Sequence, residues 1–159
     1  MPLPTDPAIQ DFYPDDFAHC YCCGRLNRDG HHLKTHWVGD GTVTRFTPHS
    51  HHIAVPGFVY GGLLASLVDC HAIATGAGAV EHAAGRVIGS GPVPRFVTAA
   101  LKVDFVKPTP LGQELELRGH ARELGERKVI VDVTVTAGGI TTVRGEVVVV
   151  RMPDSMARR

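Results

Sequence analysis

The chain has 159 residues, and 16 basic and 16 acidic residues give it a formal net charge of zero. This length fits one domain with a substantial core, and the charge balance lacks the basic excess typical of nucleic-acid-binding proteins. The N-terminus is acidic and proline-rich, unlike a signal peptide, and no unbroken apolar stretch reaches the roughly 18 residues of a membrane span. We therefore expect a cytoplasmic protein that binds neither nucleic acid nor membrane and keeps its cysteines reduced.

The pattern of apolar residues predicts one helix and six strands. Residues 1–31 are irregular and rich in proline, aspartate, cysteine and glycine. Two short strands are predicted at 32–38 and 42–47, joined by a glycine turn. An apolar stretch predicts a helix from about Gly61 to the glycines at 76–78, where it should stop. Four longer alternating stretches predict strands, and these lie at 96–106, 114–122, 128–136 and 140–151.

Short glycine turns at 124–126 and 138–139 separate the last strands, and connections this short require antiparallel neighbours. The pattern predicts an α+β fold in which a meander of about six antiparallel strands packs against one long helix. Apart from Asp69, residues 61–80 contain no acid, lysine or arginine, so we expect a curved sheet that buries most of the helix. We predict one folded domain over 32–151, preceded by the irregular segment 1–31 and followed by a polar tail, 152–159.

Asp69 lies inside this apolar helix, about 12 Å from its start at roughly 1.5 Å per residue, and so cannot cap it. The residues on its stripe of the helix are mostly small, which would let another backbone or a ligand approach closely. Burying an unpaired carboxylate costs free energy. Two interpretations are open: a structural aspartate that accepts a hydrogen bond from a neighbouring strand or subunit, or a base or nucleophile whose pKa an apolar pocket raises.

Gly61 and Gly62 open the predicted helix. Backbone N–H groups at a helix start have no partner within the helix, and they favour negative charge that develops on a nearby oxygen. Two glycines alone are as often a simple joint between loop and helix. Together with an isolated acid on the same helix, they indicate acyl-transfer chemistry, in which the amide polarises a carbonyl and the acid activates water.

The stretch PGFVYGGLLASLVD, from Pro56 to Asp69, resembles the hotdog-fold acyl-CoA thioesterases, in the branch of the phenylacetate-pathway thioesterase and the thioesterase superfamily member proteins. Their helix typically opens with His-Gly-Gly and carries an aspartate nine residues after the histidine, which is also the spacing between Tyr60 and Asp69 in this chain. Three further motifs match over about residues 20 to 150. They are carried by His52, by Thr98 with the Lys107–Gly112 turn, and by Cys20, Cys23, Gly24, Asn27 and Gly30.

The resemblance implies a hotdog fold that hydrolyses an acyl-CoA or acyl-carrier thioester without any cofactor beyond the substrate's coenzyme A. It implies a homodimer or a dimer of dimers with sites at the subunit interface. Gly61 would donate its N–H to the thioester oxygen, and Asp69 of the partner subunit would act as general base or nucleophile. Thr98 would hold the attacking water or steady Asp69. The expected substrate-binding residues are His52, Tyr60, Gly62 and Ser66.

Tyr60 is the departure from the family pattern. A tyrosine hydroxyl donates a hydrogen bond, but with an ordinary pKa near 10 it is no base at neutral pH. Because the oxyanion contact uses backbone, the change reshapes the pocket or reduces activity without removing that contact. Two alternatives stay open: a non-catalytic protein that binds acyl-CoA or another small ligand, and a hotdog dehydratase or hydratase, although the Gly-Gly and Asp pattern favours hydrolysis.

Other polar residues allow weaker interpretations. The N-terminal cysteines and histidines could supply zinc ligands, but their spacing fits no common site. We expect no metal, and a packing role for the cysteines. The residues considered for zinc are Cys20, Cys22, Cys23, His31, His32 and His36. Arg86, Arg95 and Lys107 flank the glycine-rich loop and the strand ends, where they could meet coenzyme A phosphates.

Overall fold

The computed structural model describes residues 3–157; residues 1, 2, 158 and 159, the ends of the predicted segment and tail, lie outside the described residues. Within this range the chain forms six strands, one long helix and one short helix, preceded by two 3-10 turns. The strands are β1 (His36–Val38), β2 (Gly41–Phe46), β3 (Phe96–Phe105), β4 (Leu115–Leu124), β5 (Lys128–Ala137) and β6 (Ile140–Arg151). The helices are α1 (Gly61–Ala83) and α2 (Asp154–Ala157), and the turns span Ile9–Phe12 and Asp15–Phe17.

The strands form one antiparallel sheet in the order β1-β2-β4-β5-β6-β3. The predicted hairpins β4–β5 and β5–β6 are present. Gly138 and Gly139 adopt φ of +57° and +79° between β5 and β6, as a tight two-residue hairpin turn requires. The simple meander was wrong in one respect: β3 pairs with β6 rather than with its sequence neighbour β4. This pairing makes β3 an edge of the sheet.

Helix α1 packs into the curve of the open sheet and contacts β2, β3, β4, β5 and β6. Alternate residues of β5 face it, which explains the period of two in the sequence; Val129, Val131, Val133 and Val135 are all buried. By length and composition alone α1 could cross a membrane, but 78% of its most apolar window is buried inside the fold. It is the core helix on which the domain is built.

The helix continues past the predicted stop at 76–78 and ends at Ala83. A Cβ at Gly76 would lie 2.7 Å from a methyl of Val149, and one at Gly78 would lie 2.7 Å from the Trp37 ring. These glycines therefore serve close packing against β6 and β1, not helix termination. The predicted end was wrong because glycine occurs both where helices stop and where a helix packs closely against a neighbouring element.

The N-terminal segment packs onto the domain rather than standing apart from it. Ile9, Tyr13 and Cys23 belong to the same buried core as α1. The Gln10 amide donates to the Thr35 hydroxyl and accepts from the Thr35 N–H, each at 2.9 Å. The described part of the segment predicted at 1–31 is thus integral to the core.

Strand β3 presents an apolar edge. Phe96 at its start is buried, whereas Leu101 and Phe105 are 42% and 54% exposed, and Val106, just after the strand, is 47% exposed. The predicted alternation of apolar residues is present, but the described residues of this chain do not cover it. An exposed apolar edge strand is a surface suited to pairing with another chain.

Candidate active site

Asp69 lies on a narrow open stripe of α1. Over residues 61–79 the incompletely buried positions are Gly61, Gly62, Ala65, Ser66 and Asp69. Their spacing of three and four residues places them on one face of the helix. The small-residue stripe predicted from the sequence is therefore open in its first half, and buried from position 72 onward.

Thr98, near the start of β3, holds the Asp69 carboxylate. Its hydroxyl Oγ1 donates a hydrogen bond to Oδ1 of Asp69. The pairing of β3 with β6 is irregular between Thr98 and Ala100, and a bulge of this kind commonly re-aims a side chain beside a functional site. The structure thus brings two of the predicted catalytic residues together within one chain.

The surroundings of Asp69 make its carboxylate more basic. Burial raises the pKa of Asp69 above the ordinary 3.8, and nearby Cys20 acts in the same direction, whereas the Thr98 hydrogen bond and the charge of Arg95 oppose the rise. A half-buried carboxylate with a raised pKa is what a general base at mild pH needs. The imidazole of His71, two residues on, points elsewhere and bonds to Thr42 and Thr44.

The helix start is fixed by backbone contacts. Tyr60, the N-cap residue, has φ −59° and ψ 128°, and its N–H donates to the His52 carbonyl at 2.9 Å. Its ring lies against Gly62, where an added Cβ would be 2.4 to 2.6 Å from ring atoms and the hydroxyl. The N–H groups of Gly61 and Gly62 have no partner within the helix. They are the two amides proposed from the sequence as the donor site.

Two cavities flank this helix start. One, of about 290 Å³, is lined by all four predicted substrate-binding residues: His52, Tyr60, Gly62 and Ser66. Tyr21, His31 and His51 also line it, and sequence reasoning did not place them there. The other cavity, of about 410 Å³, brings Gly61 together with Phe105 and Lys107.

Two imidazoles of the smaller cavity, those of His31 and His52, have lowered pKa values and are mostly neutral near neutral pH. Burial lowers the pKa of His31 and of His52, and the charges of neighbouring histidines lower both further. The His49 N–H donates to Nδ1 of His52 at 2.9 Å, which leaves the neutral ring's proton on Nε2. His52 therefore offers the cavity a hydrogen-bond donor without a charge. The PHSHH run was the sequence signal for this cluster.

Gly61 and Asp69 are not neighbours within the chain. Asp69 follows Gly61 by eight positions, which is about 12 Å along the helix axis. A carbonyl oxygen must lie about 3 Å from its donor, and a base must reach the attacking water at about the same distance. One chain therefore holds the two halves of the predicted machinery too far apart to act on one thioester.

The three predicted phosphate-binding cations lie in different places. Arg86 forms two hydrogen bonds of 3.0 and 2.8 Å with Glu81, near the opposite end of α1 from Gly61. Arg95 donates to the Phe96 carbonyl at 2.7 Å and lies 4.8 Å from the Tyr13 ring centroid. Lys107 is exposed and lines the cavity that contains Gly61. Of the three, Lys107 is the one beside the helix start.

The cysteines lie against the middle of α1. The Cys22 thiol donates to the Ser66 carbonyl at 3.3 Å, and the sulfurs of Cys20 and Cys70 are 3.5 Å apart. Hydrogen bonds from Cys23 and Cys70 lower the pKa of Cys20. The histidines considered with these cysteines are placed elsewhere: the His31 ring packs at a tilt against Tyr21, His32 bonds to the Asn27 carbonyl, and His36 begins β1. The side chain that lies beside the N-terminal cysteines is Cys70 of α1, not one of these histidines.

A long helix wrapped by a curved, unclosed antiparallel sheet of six strands, with an acid on the helix and glycines at its start, defines the hotdog class of acyl-thioester proteins. The thioesterase superfamily model matches residues 56–144, which is more than half of the chain. The protein belongs to the thioesterase superfamily.

Solved structures agree with this assignment. A thioesterase superfamily protein from Shewanella loihica PV-4 is 43% identical, with a TM-score of 0.63 over 87% of this chain and 98% of its own. The PaaI protein of the Escherichia coli phenylacetic acid degradation operon shares the fold at 16% identity, with a TM-score of 0.63 over 77% of this chain and 81% of its own. A hypothetical thioesterase from Streptococcus pneumoniae, solved with coenzyme A, is also 16% identical, with a TM-score of 0.61 over 76% and 85%. No curated protein sequence matches the chain.

Proposed function

We propose that this protein hydrolyses an acyl-CoA or acyl-carrier thioester to a free acid and a thiol. The observation that carries the proposal is Asp69, paired with Thr98 and raised in pKa, on the open stripe of a helix that begins with two glycines. Superfamily membership supports thioester chemistry. Two structures of the same fold, from Streptococcus pneumoniae with coenzyme A and from Streptococcus mutans with acetyl-CoA, support coenzyme A as the carrier.

The chemistry divides between the two ends of the stripe. The Gly61 N–H donates to the thioester oxygen and stabilises the negative charge that develops there. Asp69 takes a proton from water as the water oxygen bonds to the carbonyl carbon, the carbon–sulfur bond breaks, and the leaving thiolate takes up that proton. If Asp69 instead attacks the carbon directly, the carbon–sulfur bond breaks to leave an acyl-aspartyl anhydride, and water then hydrolyses the anhydride to the free acid while its other proton goes to the thiolate. Thr98 orients the carboxylate or the water.

The roughly 12 Å between Gly61 and Asp69 favours a site made by two subunits. A second copy related by a two-fold axis at the β3 edge would cover Leu101 and Phe105 and lay the two open stripes side by side. Each site would then combine Gly61 of one subunit with Asp69 of the other. This arrangement would explain both the exposed apolar edge of β3 and the separation of Gly61 from Asp69.

The two cavities suggest how the substrate divides. The cavity of His52, Tyr60, Gly62 and Ser66 would take the acyl group. The cavity of Gly61 and Lys107 would take part of the carrier, with the Lys107 ammonium near a phosphate. Tyr60 replaces the histidine typical of relatives in this family at the wall of the acyl cavity. We expect it to tune the choice of acyl group.

The test is hydrolysis of a panel of acyl-CoA thioesters by the full chain, followed by loss of the thioester absorbance. This readout avoids thiol reagents, which would react with the four cysteines. We expect wild type to turn over at least one class of thioester and Asp69→Asn to lose about 10²- to 10⁴-fold in kcat, the usual contribution of a general base. Asp132→Asn, on β5 in an ion pair with Arg122, is the matched control and should keep wild-type activity.

The alternative is a protein that binds acyl-CoA without hydrolysing it. The Tyr60 ring against Gly62 favours this alternative, because the ring narrows the approach to the helix-start amides. Equilibrium binding of coenzyme A by wild type, without turnover of any thioester in the panel, would establish it. Asp69→Asn that hydrolyses as fast as wild type would make Asp69 a structural residue and exclude it as the base or nucleophile.

A further inference from the structure

Three cysteine thiols from two distant parts of the chain meet beside the candidate site. Cys20 and Cys23 belong to the N-terminal segment, and Cys70 lies on α1 next to Asp69. Their sulfurs all lie within 4.8 Å of one another, with Cys20 and Cys70 at 3.5 Å. Cys23 and Cys70 are buried and Cys20 is half-buried, so the cluster is reachable from the Cys20 side.

The loop that carries Cys20 and Cys23 is built tightly around the first sulfur. The Gly24 N–H donates to the Cys20 carbonyl at 2.8 Å, and the backbone amides of Cys22 and Cys23 lie near the Cys20 sulfur. A Cβ at Gly24 would lie 2.4 Å from the Cys20 nitrogen, so no other residue fits there without rearrangement. N–H donors around a sulfur offset the charge of a thiolate ligand and orient it.

The core around the cysteine cluster also contains a buried hydroxyl without a hydrogen-bond partner and, next to it, a cation. The Tyr13 hydroxyl has no hydrogen-bond partner among the described residues, although the side chain is only 3% exposed. Tyr13 belongs to the same buried core as Cys23 and Cys70. Arg95 lies over the Tyr13 ring and supplies positive charge. Buried polar groups are nearly always satisfied, so this hydroxyl is free to accept or donate a hydrogen bond to a further polar group in this core.

We propose that Cys20, Cys23 and Cys70 bind one thiophilic closed-shell metal ion, Zn²⁺ or Cu⁺. With zinc–sulfur bonds of about 2.3 Å, the sulfurs of a tetrahedral site lie about 3.8 Å apart, so shifts of about 1 Å or less convert the cluster into a site. Three thiolates can complete the coordination of Cu⁺. For Zn²⁺ they would supply three of four ligands, with water or another oxygen ligand in the fourth position. The ion binds thiolates, so any of the three thiols that still carries a proton releases it to solvent when the ion binds.

Such an ion would tie the N-terminal segment to α1 one residue after Asp69. The sequence alone did not indicate this site, because Cys70 lies 47 residues beyond Cys23 and has the pattern of a core residue in an apolar helix. The inference does not depend on the proposed hydrolysis. A protein that never cleaves a thioester would still bind the ion.

The experiment uses the full chain, purified with a phosphine reductant and without chelators, then loaded separately with Zn²⁺, Co²⁺ or Cu⁺. We expect about one ion per chain by elemental analysis, as for a single thiolate site. Bound Co²⁺ should give an intense thiolate-to-metal charge-transfer band in the near ultraviolet. Cys70→Ser and Cys23→Ser should lose the band and the ion. Cys22→Ser is the matched control, since the Cys22 thiol donates to the Ser66 carbonyl and its sulfur is not one of the three that lie within 4.8 Å of one another.

Competition between Zn²⁺ and Cu⁺ on the same protein identifies which ion the site holds. Fully reduced wild type that takes up neither ion, and shows no charge-transfer band with Co²⁺, would overturn the proposal even if the serine variants fail to fold. Uptake that Cys70→Ser retains while folded would also overturn it. A disulfide between Cys20 and Cys70 in protein whose reduced form binds no ion would show a redox pair instead.

Discussion

Asp69 is held in an environment that favours chemistry at the expense of stability. Because its pKa is raised in the folded state, its charged form is less favourable there than in the unfolded chain. Its contribution to stability is therefore present at acidic pH and is lost as the pH rises through the folded pKa. A carboxylate retained only for structure usually shows the opposite shift, since the hydrogen bonds and ion pairs that stabilise it lower its pKa.

Thr98→Val should raise the pKa of Asp69 further. The valine keeps the shape but removes the hydroxyl that donates to the carboxylate and partly offsets the effect of burial. We expect the acidic limb of kcat/KM against pH to move to higher pH. Thr98→Ser, which keeps a hydroxyl, should return the limb to the wild-type position. An acidic limb that stays in place in Thr98→Val would mean that another group titrates.

For individual residues, the sequence indicated which side chains belong to the candidate site but few of the contacts between side chains. The resemblance implied that Thr98 would hold the attacking water or steady Asp69, and in the structure the Thr98 hydroxyl donates to the Asp69 carboxylate. The clustering of Cys70 with Cys20, and of His31 with His52, was not predicted. Such contacts join positions far apart in sequence, and only the curvature of the sheet and the path of the N-terminal segment decide them.

The elements are tied together by a buried polar network around His71. Its Nε2 bonds to the Thr42 hydroxyl at 3.0 Å and its Nδ1 to the Thr44 hydroxyl at 2.9 Å. The Thr44 hydroxyl donates a hydrogen bond to the Thr35 hydroxyl, and the Thr42 hydroxyl is hydrogen-bonded to the Thr75 hydroxyl. The network thus joins α1 to β2, and Thr35 links it to Gln10 of the N-terminal segment. Burial lowers the pKa of His71 to about 3, so the ring is neutral wherever the protein is folded at mild pH.

His71 should make the protein less stable in acid. The unfolded chain takes up a proton near the ordinary pKa of 6.5, whereas the folded protein does not until about 3. Stability is therefore lost as the pH falls through this window, by about 2 kcal/mol between pH 7 and pH 5. His71→Gln removes this titration. Its free energy of unfolding, from urea denaturation, should vary less with pH than that of wild type.

His120→Gln is the control for this measurement, because His120 is exposed on β4 and should leave the wild-type pH dependence unchanged. If His71→Gln loses stability with the same slope as wild type between pH 7 and pH 5, the imidazole already binds its proton in the folded state.

Elements were predicted well where one local signal decides them. The period of two located β4, β5 and β6 to within a few residues, because each buries one face against α1. The end of α1 was missed because Gly76 serves packing against Val149. The placement of β3 at the sheet edge was missed because it depends on the crossover path and not on the strand's own residues.

At the scale of the whole molecule, the proposed site combines Gly61 of one subunit with Asp69 of the other, so each of the two contributions can be removed by its own substitution. Gly61→Pro deletes the N–H at the first helical position, where proline is tolerated. Tyr60, at φ −59° and ψ 128°, already has the extended backbone that precedes proline. We expect thermal unfolding close to that of wild type and a kcat lower by about 10²- to 10³-fold, as when an oxyanion donor is lost.

Gly61→Ala is the matched control for the proline variant, since it adds a Cβ but keeps the amide. That Cβ would lie 3.3 Å from the tip of the Phe105 ring, which is largely exposed and can move. The alanine variant should therefore keep most of the wild-type kcat. Equal activity in the alanine and proline variants would remove the Gly61 amide from the mechanism.

Mixing two inactive variants tests the shared site directly. In a heterodimer of Gly61→Pro with Asp69→Asn, one site has both defects, whereas the other combines an intact Gly61 with an intact Asp69. If unfolded chains are mixed equally and refolded, half of the dimers are mixed, and about a quarter of wild-type activity should return. A site contained within one chain would give no recovery, because every chain carries one defect. Size-exclusion chromatography with light scattering should show that the mixture has the same mass as each parent.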